Sequence, residues 1–247
     1  MEQFIGFIPS TLNSPTRLPG KALSEIEGIP IIVHVAKRAS LSSNLKKIIV
    51  CTDSNRIVEI CRKFDIDFEL TNREFRNGTD RIASIAHKYD FNFAIDISGD
   101  EPLLDPDHID IVANRMLLKD SFADIVIPTL EVPYSSPETI IRVQSSKTQR
   151  IMTLTRSSLP SRFSKPTPFI QKHLPLIGFT KNALEQYGKL EPTFNEECEN
   201  IAMLRALEND MHVFEVKVES GSFSLDIQDD ILKARVAMKN DKYYGSY

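Results

Sequence analysis

Cysteine is scarce in this chain of 247 residues: Cys51, Cys61 and Cys198 are the three present, without metal-ligand spacing, and they read as reduced thiols of a cytoplasmic protein. The five histidines are scattered and form no HxxxH-type zinc motif. No apolar run approaches the ~20 residues that a membrane helix needs, so no membrane association is expected. The N-terminal residues lack the basic start and apolar core of a signal peptide. Basic excess is missing too: the net charge is −4, and no basic, aromatic-studded face is evident, so nucleic acid is not an expected partner. A GxxxxGK[ST] phosphate loop is absent. There is no internal repeat, low-complexity tract or long linker.

What is there is a 41% hydrophobic composition, enough for a packed core in one large α/β domain or two small ones. Strand signals fall at Phe4 to Pro9, Lys47 to Cys51, Asp65 to Leu70, Phe93 to Ile97 and Ile125 to Pro128. Between them, helical periodicity runs over Ile31 to Arg38, Asn55 to Phe64, Asp80 to His87 and Asp107 to Leu117, the last opened by Asp105-Pro106. This alternation predicts a mixed, mostly parallel α/β sheet with helices on both faces. Glu131 to Lys172 is rich in Pro, Ser, Thr and Arg with weak strand signals, and reads as a smaller lobe of loops and irregular strands covering the sheet. Beyond it, helices are expected over Asn182 to Tyr187, Glu196 to Asn209 and Asp229 to Met238, with a strand at His212 to Val218.

Four constellations carry chemistry, each past a predicted strand, where such sheets bind ligands. Arg17 and Lys21 lie in a loop stiffened by Pro15, Pro19 and Gly20, suited to holding several phosphates. Asp100, in Gly99-Asp100-Glu101-Pro102, can supply a carboxylate oxygen to Mg²⁺. Asp226, near the start of the last helix, can supply a second. Asn77-Gly78-Thr79-Asp80-Arg81 marks a turn into a helix at Thr79 or Asp80, whose free amides can meet phosphate or a base edge. Each also has a purely structural reading, as a surface turn, a capped turn or a helix start. Their joint occurrence points to a protein that handles a nucleoside triphosphate.

In this order, these residues resemble the 3-deoxy-manno-octulosonate cytidylyltransferases, the CMP-Kdo synthetases, over nearly the whole chain. Thr16 to Lys21 matches the family's TRLPGK, Ile31 to Val35 its IIVHV-type segment, Asn77 to Arg81 its SGT(D/E)R and Gly99 to Pro102 its GDEP. Arg156 with Leu159-Pro160 is similar to SRxxIP, and Lys172-His173 to the (K/R)H before IGIY. Glu191-Pro192-Thr193, Glu196, Glu199 and Leu204-Arg205 follow EPSPLExxExxxxLR, and Leu225-Asp226 with Asp230 follows GVDTPEDL. The resemblance implies a single nucleotidyltransferase domain with a Rossmann-like, nucleotide-diphospho-sugar transferase-like sheet, and a sugar-binding or dimerisation lobe at about 131–180. It implies that CTP and an acidic 2-keto-3-deoxy sugar give CMP-sugar and pyrophosphate, for lipopolysaccharide or surface polysaccharide assembly. Asp100 and Asp226 would hold Mg²⁺, and Arg17 and Lys21 the β- and γ-phosphates. The cytidine would lie against Ile8, Pro9, Asn77 and Gly78, and Arg156 and His173 would face the sugar acid. Ser10, Arg81, Ser98 and Glu199 complete the expected substrate-binding set. A homodimer with the Pro-rich lobe at its interface is also implied.

The chain departs from the family pattern in specific places. The family's PAR after the first strand, whose arginine meets the triphosphate, is Pro9-Ser10-Thr11 here, and the loop is one residue longer. The histidine before SGT is Phe75, and the glutamine before GDEP is Ser98. The Glu-Gln pair before Leu-Arg is Ala202-Met203, and GIY becomes Pro175-Leu176-Ile177. One phosphate cation is therefore missing or replaced. The less polar sugar side predicts altered discrimination, as for a modified Kdo such as an amino- or deoxy-sugar acid. A related transferase with another nucleotide or sugar, or a catalytically weak binding homologue, are the competing readings. Retention of Arg17, Lys21, Asp100 and Asp226 argues against the last.

Overall fold

The structure, a computed structural model, describes residues 3–12, 20–71, 74–118, 122–225 and 227–247. Arg17 and Asp226, both expected at the site, lie outside the described residues. The first strand, β1 (Phe4–Ser10), is apolar and buried through Ile8. A short 3-10 turn at Lys21–Leu23 leads into a small hairpin, β2 (Glu25–Ile26) and β3 (Ile29–Pro30). Its turn takes positive φ at both Glu27 and Gly28, as a tight two-residue hairpin requires. There follow α1 (Ile31–Ala39), β4 (Leu45–Thr52), α2 (Asn55–Lys63), β5 (Phe68–Leu70), α3 (Gly78–Ile85), β6 (Phe93–Ile97) and α4 (Pro106–Met116). Asp105 caps α4 by accepting the Asp107 amide at 3.0 Å, with Pro106 in the first turn. α3 starts earlier than predicted, because Asn77 is its cap and accepts the Asp80 amide at 2.8 Å.

The remainder runs β7 (Ile125–Pro133), β8 (Arg142–Ser145), β9 (Ile151–Thr155), β10 (Phe169–His173), β11 (Leu176–Thr180), α5 (Lys181–Tyr187), α6 (Phe194–Glu199), α7 (Met203–Glu208), β12 (Val213–Val218) and α8 (Gln228–Met238). The strands other than the small hairpin form one sheet, in the order β5-β4-β1-β6-β11-β7-β10-β8-β9, with β12 on β7. The mixed α/β class stands. Pairing is parallel from β5 to β6, and antiparallel pairing sets in at β11. Helices α1, α2, α4 and α8 cover one face, and α3, α5 and α7 the other, each over its own apolar core.

Two expectations need correction. The segment from Glu131 to Lys172, expected as loops and irregular strands covering the sheet, extends it instead: β8, β9 and β10 are strands of the same sheet, and Val143, Ile151 and Leu154 are buried against it. Its Pro, Ser and Thr residues collect in the connections 134–141 and 156–168, which blurs the strand pattern. The helix expected from Glu196 to Asn209 is two helices. Asn200 adopts a left-handed φ of 51° and closes α6, while the Arg156 guanidinium takes the carbonyls of Glu199 (2.8 Å) and Asn200 (3.3 Å).

Candidate active site

β1 and β6 are parallel neighbours, so the chain leaves both at the same edge of the sheet. Pro9 is squeezed there between two glycines. A Cβ on Gly78 would fall 2.6 Å from Pro9 Cγ, and one on Gly99 would fall 3.0 Å from the Pro9 carbonyl oxygen. Any larger residue would push these segments apart. The result is a cleft of about 270 Å³ that brings together Pro9, Ser10, Lys21, Asn77, Gly78, Arg81, Ser98 and Asp100. Eight of the expected site residues thus share one wall system, built from four separate stretches of chain. A broader hollow of about 490 Å³ behind α3 shares only Phe75, Arg76 and no expected catalytic residue with it.

The electrostatic centre of the cleft is Asp100. One carboxylate oxygen accepts the Lys21 ammonium, and the other accepts the Ser98 hydroxyl at 2.6 Å. Lys21, buried, also donates to the Leu225 carbonyl at 3.0 Å, and the Leu225 amide donates to the Asp100 carbonyl at 3.2 Å. The residue preceding Asp226 is therefore stitched to Asp100 and Lys21. Glu101 reinforces this: its buried carboxylate accepts the hydroxyls of Ser222 and Ser224. Burial pushes the Glu101 carboxyl above its ordinary value, against the pull of the two serine hydrogen bonds. Sequence reasoning passed over Glu101, although it lies in the same tetrapeptide.

Asn77 is fixed from behind. Its amide donates to Glu196 at 3.4 Å, and Glu196 is gripped by Arg205 through Nε (2.7 Å) and Nη2 (2.5 Å). Arg205, wholly buried, also donates to Asp80 at 2.7 and 3.3 Å and lies 4.6 Å from the Tyr187 ring centre. Burial opposes its charge, but the two carboxylates outweigh burial and hold the guanidinium above its ordinary pKa. Arg205 thus ties α7 and α6 to the entrance of α3. Arg81 lines the cleft, yet its guanidinium is occupied within the protein by Asp53 at 2.7 Å and by the Thr71 hydroxyl, beneath the Phe75 ring. Thr79 donates to the buried Asp96 at 2.7 Å, and burial pushes the Asp96 carboxyl up to about 6. Asp96 was detectable only as a lone acid inside the apolar run of β6.

The residues expected on the sugar side do not line this cleft. Arg156 directs its guanidinium at the carbonyls of Thr139, Glu199 and Asn200. Glu199 accepts the Thr155 hydroxyl (2.5 Å) and the Arg156 amide (2.8 Å), which hold its carboxyl below the ordinary range. His173 sits on β10, where burial, with Lys172 and Arg156 nearby, lowers its pKa to about 4. Its Nε2 is buried without a hydrogen-bond partner among the described residues. Met203 is packed in the core and Ala202 beside it.

The donor set is compatible with Mg²⁺. That ion takes one or two carboxylates and completes its shell with waters and substrate phosphates, and Asp100 offers a strand-end carboxylate facing a cleft. Among the described residues no group of three or more metal-binding side chains occurs.

The fold and cleft define an α/β protein of the nucleotide-binding kind, with its site past the ends of parallel strands. Residues 5–217 match the family model described as "Cytidylyltransferase". The chain is 31% identical to the 3-deoxy-manno-octulosonate cytidylyltransferase of Chloroherpeton thalassium, covering 94% of this chain and 96% of that one. It is also 31% identical to the protein of the same name from Trichlorobacter lovleyi, covering 96% and 99%. Among solved structures, a CMP:2-keto-3-deoxy-manno-octonic acid synthetase complexed with CTP shares the fold with a TM-score of 0.90 at 23% identity, over 96% of this chain and 99% of that one. A cytidylyltransferase from Leptospira borgpetersenii aligns with a TM-score of 0.67 at 14% identity, over 97% and 88%. The chain belongs to the cytidylyltransferase family.

Proposed function

We propose that the protein transfers a cytidylyl group from CTP to the anomeric hydroxyl of an acidic 2-keto-3-deoxy sugar, Kdo or a modified relative, releasing pyrophosphate. The observation that carries this reading is the Lys21–Asp100 pair in the cleft beyond β1 and β6. The sugar oxygen bonds to the α-phosphorus, the bond to the pyrophosphate oxygen breaks with its electron pair leaving on pyrophosphate, and the hydroxyl proton passes to solvent. Lys21 is placed to exchange its contact with Asp100 for phosphate oxygens, and Ser98 keeps the Asp100 carboxylate oriented meanwhile. Gly78, pressed on Pro9, lets the start of α3 approach the nucleoside. Mg²⁺ would be held by Asp100 with Asp226, neutralising phosphate charge and activating the hydroxyl. Catalysis here is mostly positioning and charge neutralisation.

The same reading assigns the reaction to the cytoplasm, where CTP is available. It also makes the protein a homodimer through its antiparallel wing, β7 to β10. The resemblance's polar positions are apolar here at Ile177, Ala202 and Met203, and this departure from the family pattern, with Met203 in the core, is what favours a modified acceptor over Kdo itself. Pyrophosphate release with CTP, Mg²⁺ and a panel of acidic keto-sugars, including Kdo and its 8-amino analogue, tests the reaction and its acceptor. The expected result is release with one acceptor and its loss in Asp100→Asn. Release that persists in Asp100→Asn would remove Asp100 from the chemistry, and Kdo as clearly the best acceptor would dismiss the modified sugar.

A further inference from the structure

A triphosphate brings several negative charges into the cleft, and the family's arginine for them is replaced here by Thr11. Charge has to come from elsewhere in the wall. The described cleft is lined by three basic side chains: Lys21, Arg81 and Arg76. Lys21 reaches phosphate only by giving up its contact with Asp100, and Arg81 is spent on Asp53 and Thr71. Arg76 differs from both. Its side chain is 52% exposed, and among the described residues it makes one ion pair, Nε to Asp80 at 3.3 Å. That partner is already satisfied, because Arg205 approaches both Asp80 oxygens from the protein interior at 2.7 and 3.3 Å. A half-exposed pair of this kind holds its arginine weakly. Thr11 and Arg76 line the same cleft.

From this we infer that Arg76 is a nucleotide-phosphate ligand of this chain, supplying the charge that the Thr11 position does not. The inference rests on the nucleotide reading given above. Arginine suits the task because its planar fork can grip two phosphate oxygens at once. Arg76 immediately precedes the Asn77 cap of α3, so the element that walls the cleft also carries the cation.

Calorimetric titration of the full-length protein with CTP, CMP and cytidine, in Mg²⁺ and without acceptor, tests it. Arg76→Gln should weaken CTP binding by about 10- to 100-fold, as expected for losing one charged hydrogen-bonded contact. Cytidine binding should stay within about twofold, because no phosphate is present to lose a contact. The variant should melt with the parent chain, since an exposed pair contributes little to stability. Adding Thr11→Arg to Arg76→Gln should recover most of the lost CTP affinity. Unchanged CTP affinity in Arg76→Gln, or an equal loss for cytidine, would overturn the assignment. Absence of CTP binding by the unaltered protein would overturn the nucleotide reading itself, and the role of Arg76 with it.

Discussion

Replacing Arg205 by methionine removes the one guanidinium that serves both Glu196 and Asp80. Arg205 is fully buried, and the side chains of its partners are 9% and 11% exposed, so neither carboxylate can turn to bulk water. Removing one partner of a buried ion pair costs about 3–5 kcal/mol, chiefly by stranding the opposite charge. In a chain of this size each kcal/mol moves the melting temperature by roughly 2–4 °C, so Arg205→Met should lose roughly 6–20 °C. Differential scanning calorimetry at pH 7.5, backed by urea unfolding, measures it. The loss is electrostatic rather than volumetric, because methionine fills much of the space over Tyr187. Adding Glu196→Gln and Asp80→Asn should therefore recover at least half of it, as neutralised buried networks often match charged ones. A melting temperature within 3 °C of the parent, or a triple variant no better than Arg205→Met, would refute the account. The same change should raise KM for CTP more than it lowers kcat, since Glu196 holds Asn77 at the cleft wall.

The remaining predictions test smaller features. Gly78→Ala places a methyl group 2.6 Å from Pro9 Cγ, so turnover should fall at least tenfold with a modest change in melting temperature; unaltered kinetics would show that the contact relaxes freely. Burial raises the Asp96 carboxyl from 3.8 to about 6, so the folded state holds a proton that the unfolded chain releases. Its contribution therefore favours folding at low pH and is lost as pH rises from about 4 to about 6; above that window the charged, buried group destabilises by roughly 3 kcal/mol. Asp96→Asn keeps an acceptor for Thr79 and should raise the melting temperature at pH 8 but hardly at pH 4; a gain of equal size at both pH values would exclude titration as the cause.

The parallel half of the fold was legible because its signals are local. β1, β4 and β6 are short apolar runs, and α3 and α4 carry their own caps in Asn77 and Asp105. The site residues gathered by the cleft follow directly, since Ser10, Asn77 and Asp100 each stand at or just past a strand end or before a helix. The antiparallel wing was not legible in the same way. β8, β9 and β10 are 4, 5 and 5 residues long and draw their stability from cross-strand neighbours rather than from their own pattern. The break between α6 and α7 depends on Asn200 adopting a left-handed conformation beside Arg156, a residue from a distant strand end. Nothing in the periodicity of 194–208 announces it.

The two halves of the site therefore differ in how they constrain change. On the nucleotide side, backbone approaches at Gly78, Gly99 and Pro9 fix the wall, so the space is set by atoms that no side-chain substitution elsewhere can supply. Charge, by contrast, is transferable: a cation serves a phosphate from any position that reaches it. That is why the loss of arginine at Thr11 is compatible with a working cleft, provided that Arg76 is not bound tightly elsewhere. Arg205 secures that condition by satisfying Asp80 from inside the protein. Arg205 is thus more than a structural tie. By neutralising Asp80, it leaves Arg76 with a partner that a triphosphate can outcompete, and removing Arg205 should tighten Arg76 onto Asp80 and weaken CTP binding, beyond the effect of loosening Asn77 at the cleft wall.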